Sequence, residues 1–246
     1  QRRQQVEIRS ILVNVDIATP DSAALRYAID LASQTGASLL GLAADQPNIA
    51  YAGWGAEAAV LDVYSLERAE IEAQLQQAES AFGALVPAAI SRQWRGYVSD
   101  RTGALTAAAV AADLIVTASV TSAALQQRQV TDLGSLVLAS GRPVIDVAST
   151  AASAKFDRIV IGWKDTREAR RAVADALPFL KLAREVVALT VTEGDTVAER
   201  ASLDGLLAWL KAHGIAARSD VLSNPGGYAD VLESNALSLG ADLLVI

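Results

Sequence analysis

The sequence predicts an α/β protein made of two tandem domains, each with a parallel five-stranded sheet and helices on both of its faces. Two observations predict this. Short apolar runs alternate with helical patterns along the whole chain, which is typical of crossover connections between parallel strands. In addition, the pattern that begins at Ile11 begins again at Ile159 and matches for over thirty residues without a gap. A repeat of this length indicates two copies of one structural unit.

The first copy contains all the elements of such a unit. Predicted strands lie at residues 11–16, 38–44, 93–98, 113–116 and 141–147. Between the first two strands, apolar residues recur on one side of a helix. Before the third strand, a longer helix presents one apolar face, formed by Ile71, Leu75, Ala78, Phe82 and Leu85. We therefore assign residues 1–150 to a first domain.

The second copy repeats this order and has fewer strands. Strands are predicted at residues 159–164, 186–191, 215–222 and 242–246, with helices between them. No fifth strand follows, and an apolar sheet edge left there would be exposed. We expect the second domain, residues 155–246, to lack its last helix and strand, and the natural chain to continue for about that length.

Composition excludes several function classes. A net charge of −7 and a pI near 4.8 disfavour nucleic acid and anionic membrane surfaces as partners, because both are bound through Lys and Arg. With no Cys and a single His, disulfides, thiolate catalysis and multi-histidine metal sites are excluded. No apolar run reaches the length of a membrane span, and residues 1–5 do not resemble a signal peptide. We expect a cytoplasmic protein without a metal site.

Several short segments identify a family. A strand ending in Val15-Asp16 is followed by Ala-Asp-Leu-Ile-Val at 112–116 and by Gly-Arg-Pro-Val at 141–144, and a variant of the second segment returns at 241–245. In this order the chain resembles the universal stress protein family, in its tandem form. The resemblance implies a Rossmann-like (adenine nucleotide alpha hydrolase-like) fold. It also implies self-association through the last strand, as an intrachain pseudo-dimer of the two halves or as a homodimer.

The same resemblance implies nucleotide-binding candidates in the first copy. In ATP-binding members the first strand ends in Asp, which Asp16 matches. A glycine-rich phosphate loop then ends in Gly-Ser or Gly-Thr, because the backbone must approach phosphate closely. Gly134-Ser135 resembles the closing pair, but Ala118 and Thr121 replace the loop glycines, and twelve residues rather than nine precede the pair. The first copy is predicted to be a degenerate site.

The second copy differs from the family motif at the end of its first strand. Lys164 replaces the Asp, Asp165 stands beside it, and the phosphate loop would begin after Ile246. Lys164 could meet a phosphate as a point charge. Ala43 and Val191, in the second strands of the two copies, complete the candidate set. The expected ligand is ATP or another adenine nucleotide.

The leading functional interpretation is a non-catalytic regulatory or binding module in stress response, with no catalytic residue. The alternative is a weak ATPase or a nucleotidyl-transfer enzyme on the same fold. No Walker loop or Gly-x-Ser-x-Gly elbow supports catalysis. A phosphorylated receiver domain is a third candidate, but it needs an acidic pair where only Asp16 is present.

Structural roles compete with binding roles at several positions. For Asp16 the two are equally open. Trp54, in the segment 47–55, could pack or stack on a ligand, and residues 224–227 form a turn or an anion site. Thr19 is predicted to cap a helix, Asp165 and Glu168 to form a capping box, and His213 to end a helix before Gly214.

Overall fold

The computed structural model describes residues 8–47, 57–118, 130–151, 153–194, 196–223 and 227–246. The chain separates into an N-terminal unit, residues 8–154, and a C-terminal unit that begins at Lys155. Within the described ranges, no helix combines the length and the apolarity that crossing a membrane requires.

The N-terminal unit alternates strands and helices as the sequence predicts. Its elements are β1 Ser10–Asn14, α1 Ala23–Thr35, β2 Ser38–Asp45, α2 Glu57–Leu85, β3 Arg92–Val98, α3 Arg101–Ala108 with a 3₁₀ turn at Ala109–Ala111, β4 Leu114–Ala118, α4 Leu133–Ser140 and β5 Val144–Val147. All strand pairs are parallel, in the order β3-β2-β1-β4-β5. The central strands are buried on both faces, which explains their continuous apolar runs.

The C-terminal unit repeats the same topology. Its elements are β6 Arg158–Gly162, α5 Arg167–Asp175, α6 Leu177–Leu180, β7 Glu185–Thr192, α7 Thr196–Ala212, β8 Ala217–Ser223, α8 Tyr228–Ser238 and β9 Leu243–Val245. The parallel order β8-β7-β6-β9 is that of the first four strands of the N-terminal unit. The predicted fold class, with parallel sheets of five and four strands flanked by helices, is confirmed.

Two predicted helix caps are wrong. Ser22, not Thr19, caps α1, and its side chain accepts a hydrogen bond from the Leu25 amide. Thr166, not Asp165, caps α5, and it accepts from the Ala169 amide at 3.2 Å. In both cases the capping residue has extended backbone angles. The helix end at His213 is confirmed, since α7 ends at Ala212 and Gly214 adopts φ 80°.

One carboxylate joins three neighbouring strands of the C-terminal unit. Glu185, at the start of β7, accepts from Arg218 on β8 at 2.9 and 3.1 Å and from Arg158 on β6 at 2.6 Å. The hydrogen bonds from Arg218, and then those from Arg158, hold the pKa of the Glu185 carboxyl below its ordinary value of 4.5.

The stability of this unit should therefore fall in acid partly through Glu185. A carboxyl whose pKa is lower in the folded state stabilises it above pH 4.5, and that contribution is lost as the pH falls through the folded value. Glu185→Gln should lower stability at neutral pH and flatten its decline below about pH 5, as measured by urea unfolding across a pH series. Glu79→Gln, which changes an exposed glutamate of α2, is the control. Parallel declines in wild type and Glu185→Gln would refute the contribution.

Candidate functional site

The carboxyl ends of β6 and β7 open into a cleft of about 720 Å³. These strands are parallel neighbours at the centre of their sheet, and ligands of open α/β sheets bind beyond such strand ends. Three candidates from the second copy line this one cleft: Lys164 and Asp165 from the loop after β6, and Val191 near the end of β7. Their binding role stays a prediction, but the fold brings them together.

Trp163 holds the loop in place. Its amide donates to the Leu189 carbonyl at 2.7 Å, and its own carbonyl accepts from the Thr190 hydroxyl at 2.8 Å. The buried indole donates through Nε1 to the Ser202 hydroxyl of α7 at 2.9 Å. With the preceding residue anchored to β7 and α7, Lys164 emerges exposed at the mouth of the cleft.

Glycine is required at the end of β6 because α8 approaches closely. A Cβ on Gly162 would lie 3.0 Å from Leu232 Cδ1 and 3.1 Å from Ile246 Cγ2. Both of these residues line the cleft. The strand end thus has room for backbone alone, and Leu232 and Ile246 form an apolar part of the cleft wall.

The acidic side chains of the cleft differ in their partners. Asp165 forms an ion pair with Arg170, with Oδ1 2.6 Å from Nη2. Glu168 pairs with Arg167. Its own backbone amide and then Arg167 hold the pKa of the Glu168 carboxyl below its usual range.

Tyr228 and Glu193 form a contact across the cleft. The Tyr228 hydroxyl donates to Glu193 Oε1 at 2.8 Å, and this hydrogen bond raises the pKa of Tyr228. Sequence reasoning missed both residues, together with Ser202 and Glu199. Glu193 directly follows the second strand of its copy, so the repeat itself could have identified it.

In the N-terminal unit, the predicted residues make local contacts. Asp16 lies two residues beyond β1, and its Oδ1 accepts from the amides of Ala18 and Thr19 at 2.7 and 3.0 Å. This arrangement is a turn in which the carboxylate stands in for a backbone carbonyl. The Ala43 side chain is fully buried within β2.

The backbone amides that are predicted to bind phosphate already lie beside a carboxylate. Gly134 and Ser135 lie in the first turn of α4, which Asp132 caps. The two carboxylate oxygens of Asp132 accept from the Ser135 amide at 3.1 Å and the Ser135 hydroxyl at 2.7 Å. The Ser135 hydroxyl and then its amide lower the pKa of Asp132, so a carboxylate already accepts from an amide predicted to bind phosphate. Thr121, Trp54 and residues 224–226 lie outside the described residues.

Asn14, at the carboxyl end of β1, was also missed. Its Nδ2 donates to the hydroxyls of Thr117 and Thr131, at 3.2 Å each. Its buried Oδ1 has no hydrogen-bond partner among the described residues. Asn14 lies where the strand order reverses between β1 and β4.

No group of three or more acidic or histidine side chains in the described part of the chain is arranged to hold a metal ion.

No protein-family model and no curated protein matches the sequence, but solved structures are similar to it. One is a universal stress protein from Archaeoglobus fulgidus DSM 4304, with a TM-score of 0.60 and 15% identity, covering 96% of this chain and 85% of its own. The fold is that of the universal stress proteins. A second structure is a putative universal stress protein from Pseudomonas aeruginosa UCBPP-PA14, with a TM-score of 0.57 and 19% identity, covering 96% of this chain and 81% of its own.

A third similar structure, described as a functionally unknown protein from Pseudomonas aeruginosa PAO1, has the same TM-score of 0.57 and 19% identity. It covers 96% of this chain and 80% of its own. At these identities the likeness shows the universal stress protein fold and no more.

Proposed function

We propose that this chain is a tandem universal stress protein that acts as a non-catalytic binding module, and that its C-terminal unit holds an adenine nucleotide. The supporting observation is the cleft at the carboxyl ends of β6 and β7, where Lys164, Asp165 and Val191 share one cavity. Its volume of about 720 Å³ is within the range of small-molecule sites.

The electrostatics favour the C-terminal unit over the N-terminal one. A phosphate at Gly134-Ser135 would have to displace the Asp132 carboxylate from the first turn of α4. Lys164 is an exposed cation at a strand end, and no carboxylate among the described residues forms an ion pair with it, whereas Asp165 beside it pairs with Arg170. A phosphate would therefore meet a cation at Lys164, but a carboxylate at Gly134-Ser135.

The hydrogen bonds that the carboxylates beside Lys164 accept also favour a binding role over catalysis. Asp165 accepts from Arg170 of α5. Glu168 accepts from Arg167, and the lowered pKa of its carboxyl makes Glu168 a poor proton donor at neutral pH. Slow ATP hydrolysis or nucleotidyl transfer is the competing proposal. Release of phosphate or pyrophosphate at a rate proportional to protein concentration would establish it.

Nucleotide binding should depend on Lys164 and not on Asp16. Loss of one charged hydrogen bond costs about 1.5–3 kcal/mol, so Lys164→Ala should weaken binding of AMP roughly tenfold or more in calorimetric titration. Lys181→Ala, an exposed lysine outside the cleft, and Asp16→Ala should bind as the wild type does. Equal affinity in wild type and Lys164→Ala would remove the proposed site.

The proposal also includes self-association and a cytoplasmic location, both expected of a stress-response protein of this kind. If chains associate, light scattering during size-exclusion chromatography should give a mass of at least twice the 25.7 kDa of one chain. A monomeric mass at all concentrations would contradict association between chains.

A further inference from the structure

A second cavity of the C-terminal unit lies between α5 and α7. We call it the lateral pocket. Its volume is about 490 Å³, which is within the range of small-molecule sites. Trp163, Asp165 and Ser202 line both this pocket and the cleft, so the two cavities adjoin. All the residues that line the lateral pocket belong to the described part of the chain.

The lateral pocket has an apolar floor and a charged rim. Trp163, Val173 and Leu206 line it and are buried. Its two charged lining residues, Asp165 and Arg170, are 51% and 61% exposed and pair with each other, with Oδ1 2.6 Å from Nη2. Because the two charges of this pair cancel, the rim offers no net charge to a ligand. A charged group placed on the apolar floor would lose its hydration without gaining a counter-charge.

One exposed face of α7 forms a wall of the pocket. Ala201, Gly205 and Trp209 follow each other at intervals of four residues, which places them on one side of the helix. All three are exposed, although the exposed side of a surface helix is ordinarily polar and charged. The charged residues of α7 lie at other positions, namely Glu199, Arg200, Asp204 and Lys211.

Gly205 leaves open space in this wall. Apart from its chain neighbours and the backbone of its own helix, no atom lies within 4 Å of the position that its Cβ would take. Its φ is not positive, so neither packing nor backbone geometry requires glycine there. Glycine inside a helix costs about 1 kcal/mol relative to alanine. What the glycine provides in return is room between α5 and α7.

Both tryptophans of the pocket are held in place by other side chains. Trp163 donates to the Ser202 hydroxyl at 2.9 Å. The ring of Trp209 packs against the ring of His213, with centroids 4.2 Å apart. Indoles whose positions are fixed in advance can contact another ring with little further loss of conformational entropy.

We propose that the lateral pocket binds a small, uncharged aromatic molecule. Two indoles and an apolar floor provide contacts for a ring, and the neutralised rim gives no reward for a charge on it. The concave shape and the volume fit a small molecule. This site is additional to the nucleotide site, and the inference does not depend on the proposed function.

The test is an NMR titration of the ¹⁵N-labelled full chain with 2-naphthol, 2-naphthoate and 2-naphthylmethylamine. These compounds share one ring system and are neutral, anionic and cationic at neutral pH. The chain has four tryptophans, so single Trp→Phe variants assign the indole N–H signals. 2-Naphthol should shift the signals of Trp163 and Trp209 with a dissociation constant of about 1 mM or lower. The charged compounds should bind several-fold more weakly, and equal binding of all three would overturn the preference for an uncharged ligand.

Gly205→Leu provides the variant arm. Its side chain would enter the open space and should weaken the binding of 2-naphthol at least about tenfold, while thermal unfolding shows a folded protein. Gly83→Leu, the same change at an interior glycine of α2 outside the pocket, is the matched control and should bind as the wild type does. Undiminished binding by Gly205→Leu would overturn the site.

Absence of 2-naphthol binding to the wild type would also overturn the inference. If Gly205→Leu then gave a lower mass than the wild type in light scattering, the exposed face of α7 would be a contact between copies of this chain instead.

Discussion

Replacing Arg101 with methionine should destabilise the N-terminal unit by about 3–5 kcal/mol, because it would leave a buried carboxylate without its counter-charge. Arg101, at the start of α3, is 7% exposed, and Asp45, at the end of β2, is 8% exposed. The guanidinium Nη2 lies 3.8 Å from Asp45 Oδ2, and Nε donates to the Ala44 carbonyl at 3.1 Å. The pair thus joins α3 to the carboxyl end of β2.

Urea unfolding followed by circular dichroism, with hydrogen exchange measured on peptides from residues 8–154, would quantify the effect. Arg26→Met is the matched control. It removes an ion pair with Asp21 whose side chains are 51% and 62% exposed, and such pairs contribute about 0–1 kcal/mol. The double variant Arg101→Met with Asp45→Asn should recover much of the loss, because no charge is then stranded. A cost for Arg101→Met no greater than that for Arg26→Met would contradict the buried-pair interpretation.

Gly41→Ala should destabilise the same unit by about 1–3 kcal/mol, because it overpacks a well-filled core. A Cβ at Gly41, in β2, would lie 2.7 Å from Phe82 Cε2 and 2.9 Å from Trp94 Cε3. The two rings pack against each other with centroids 5.3 Å apart, and Phe82 is buried. Neither ring can shift without disturbing the other, so the clash outweighs the gain in chain entropy that alanine usually brings.

Gly83→Ala is the control for this prediction. Gly83 lies inside α2, and apart from its chain neighbours and the backbone of its own helix no atom lies within 4 Å of the position that its Cβ would take. Alanine there should stabilise the protein by about 0.5–1 kcal/mol. Adding Phe82→Leu to Gly41→Ala should show a favourable coupling energy in a double-mutant cycle. If Gly41→Ala were as stabilising as Gly83→Ala, the space between β2 and the ring pair would have to be larger than the structure shows.

Much of the fold could be predicted from single segments. The apolar run at Ile11–Val13 predicts a strand buried on both faces, and β1 is such a strand. The recurrence of the pattern at Ile159 predicts a second sheet with the same order, which β6, β7, β8 and β9 confirm. These predictions depend on periodicity and burial, which are properties of local sequence.

The caps were harder to predict, although their contacts are local. Several candidate capping residues precede α1 and α5 within a few positions, and Ser22 and Thr166, which have extended backbone angles, take the caps. Asp132, three residues before Ser135, did carry a local signal for a helix start. The family resemblance assigns Gly134-Ser135 to phosphate, whereas in the structure the Asp132 carboxylate accepts from the Ser135 amide.

At the candidate site, the repeat aligned Lys164 and Val191 with the strand ends, and parallel strands bring such ends to one edge of the sheet. The contact between Tyr228 and Glu193 joins residues 35 positions apart. The indole of Trp163 reaches Ser202 across 39 positions. Neither of these contacts between distant positions can be predicted from a pattern along the chain.

The sequence by itself determined the class, the order and the doubling of this α/β unit, because alternating strands and helices with buried apolar runs have few ways to pack. Only the tertiary structure decided the charge around Lys164 and the partner of Ser135. Both depend on which side chains the folded backbone brings within a few ångströms of each other. The character of the cleft, with one lysine among carboxylates, is therefore a property of the packed strand ends and of the helices beside them.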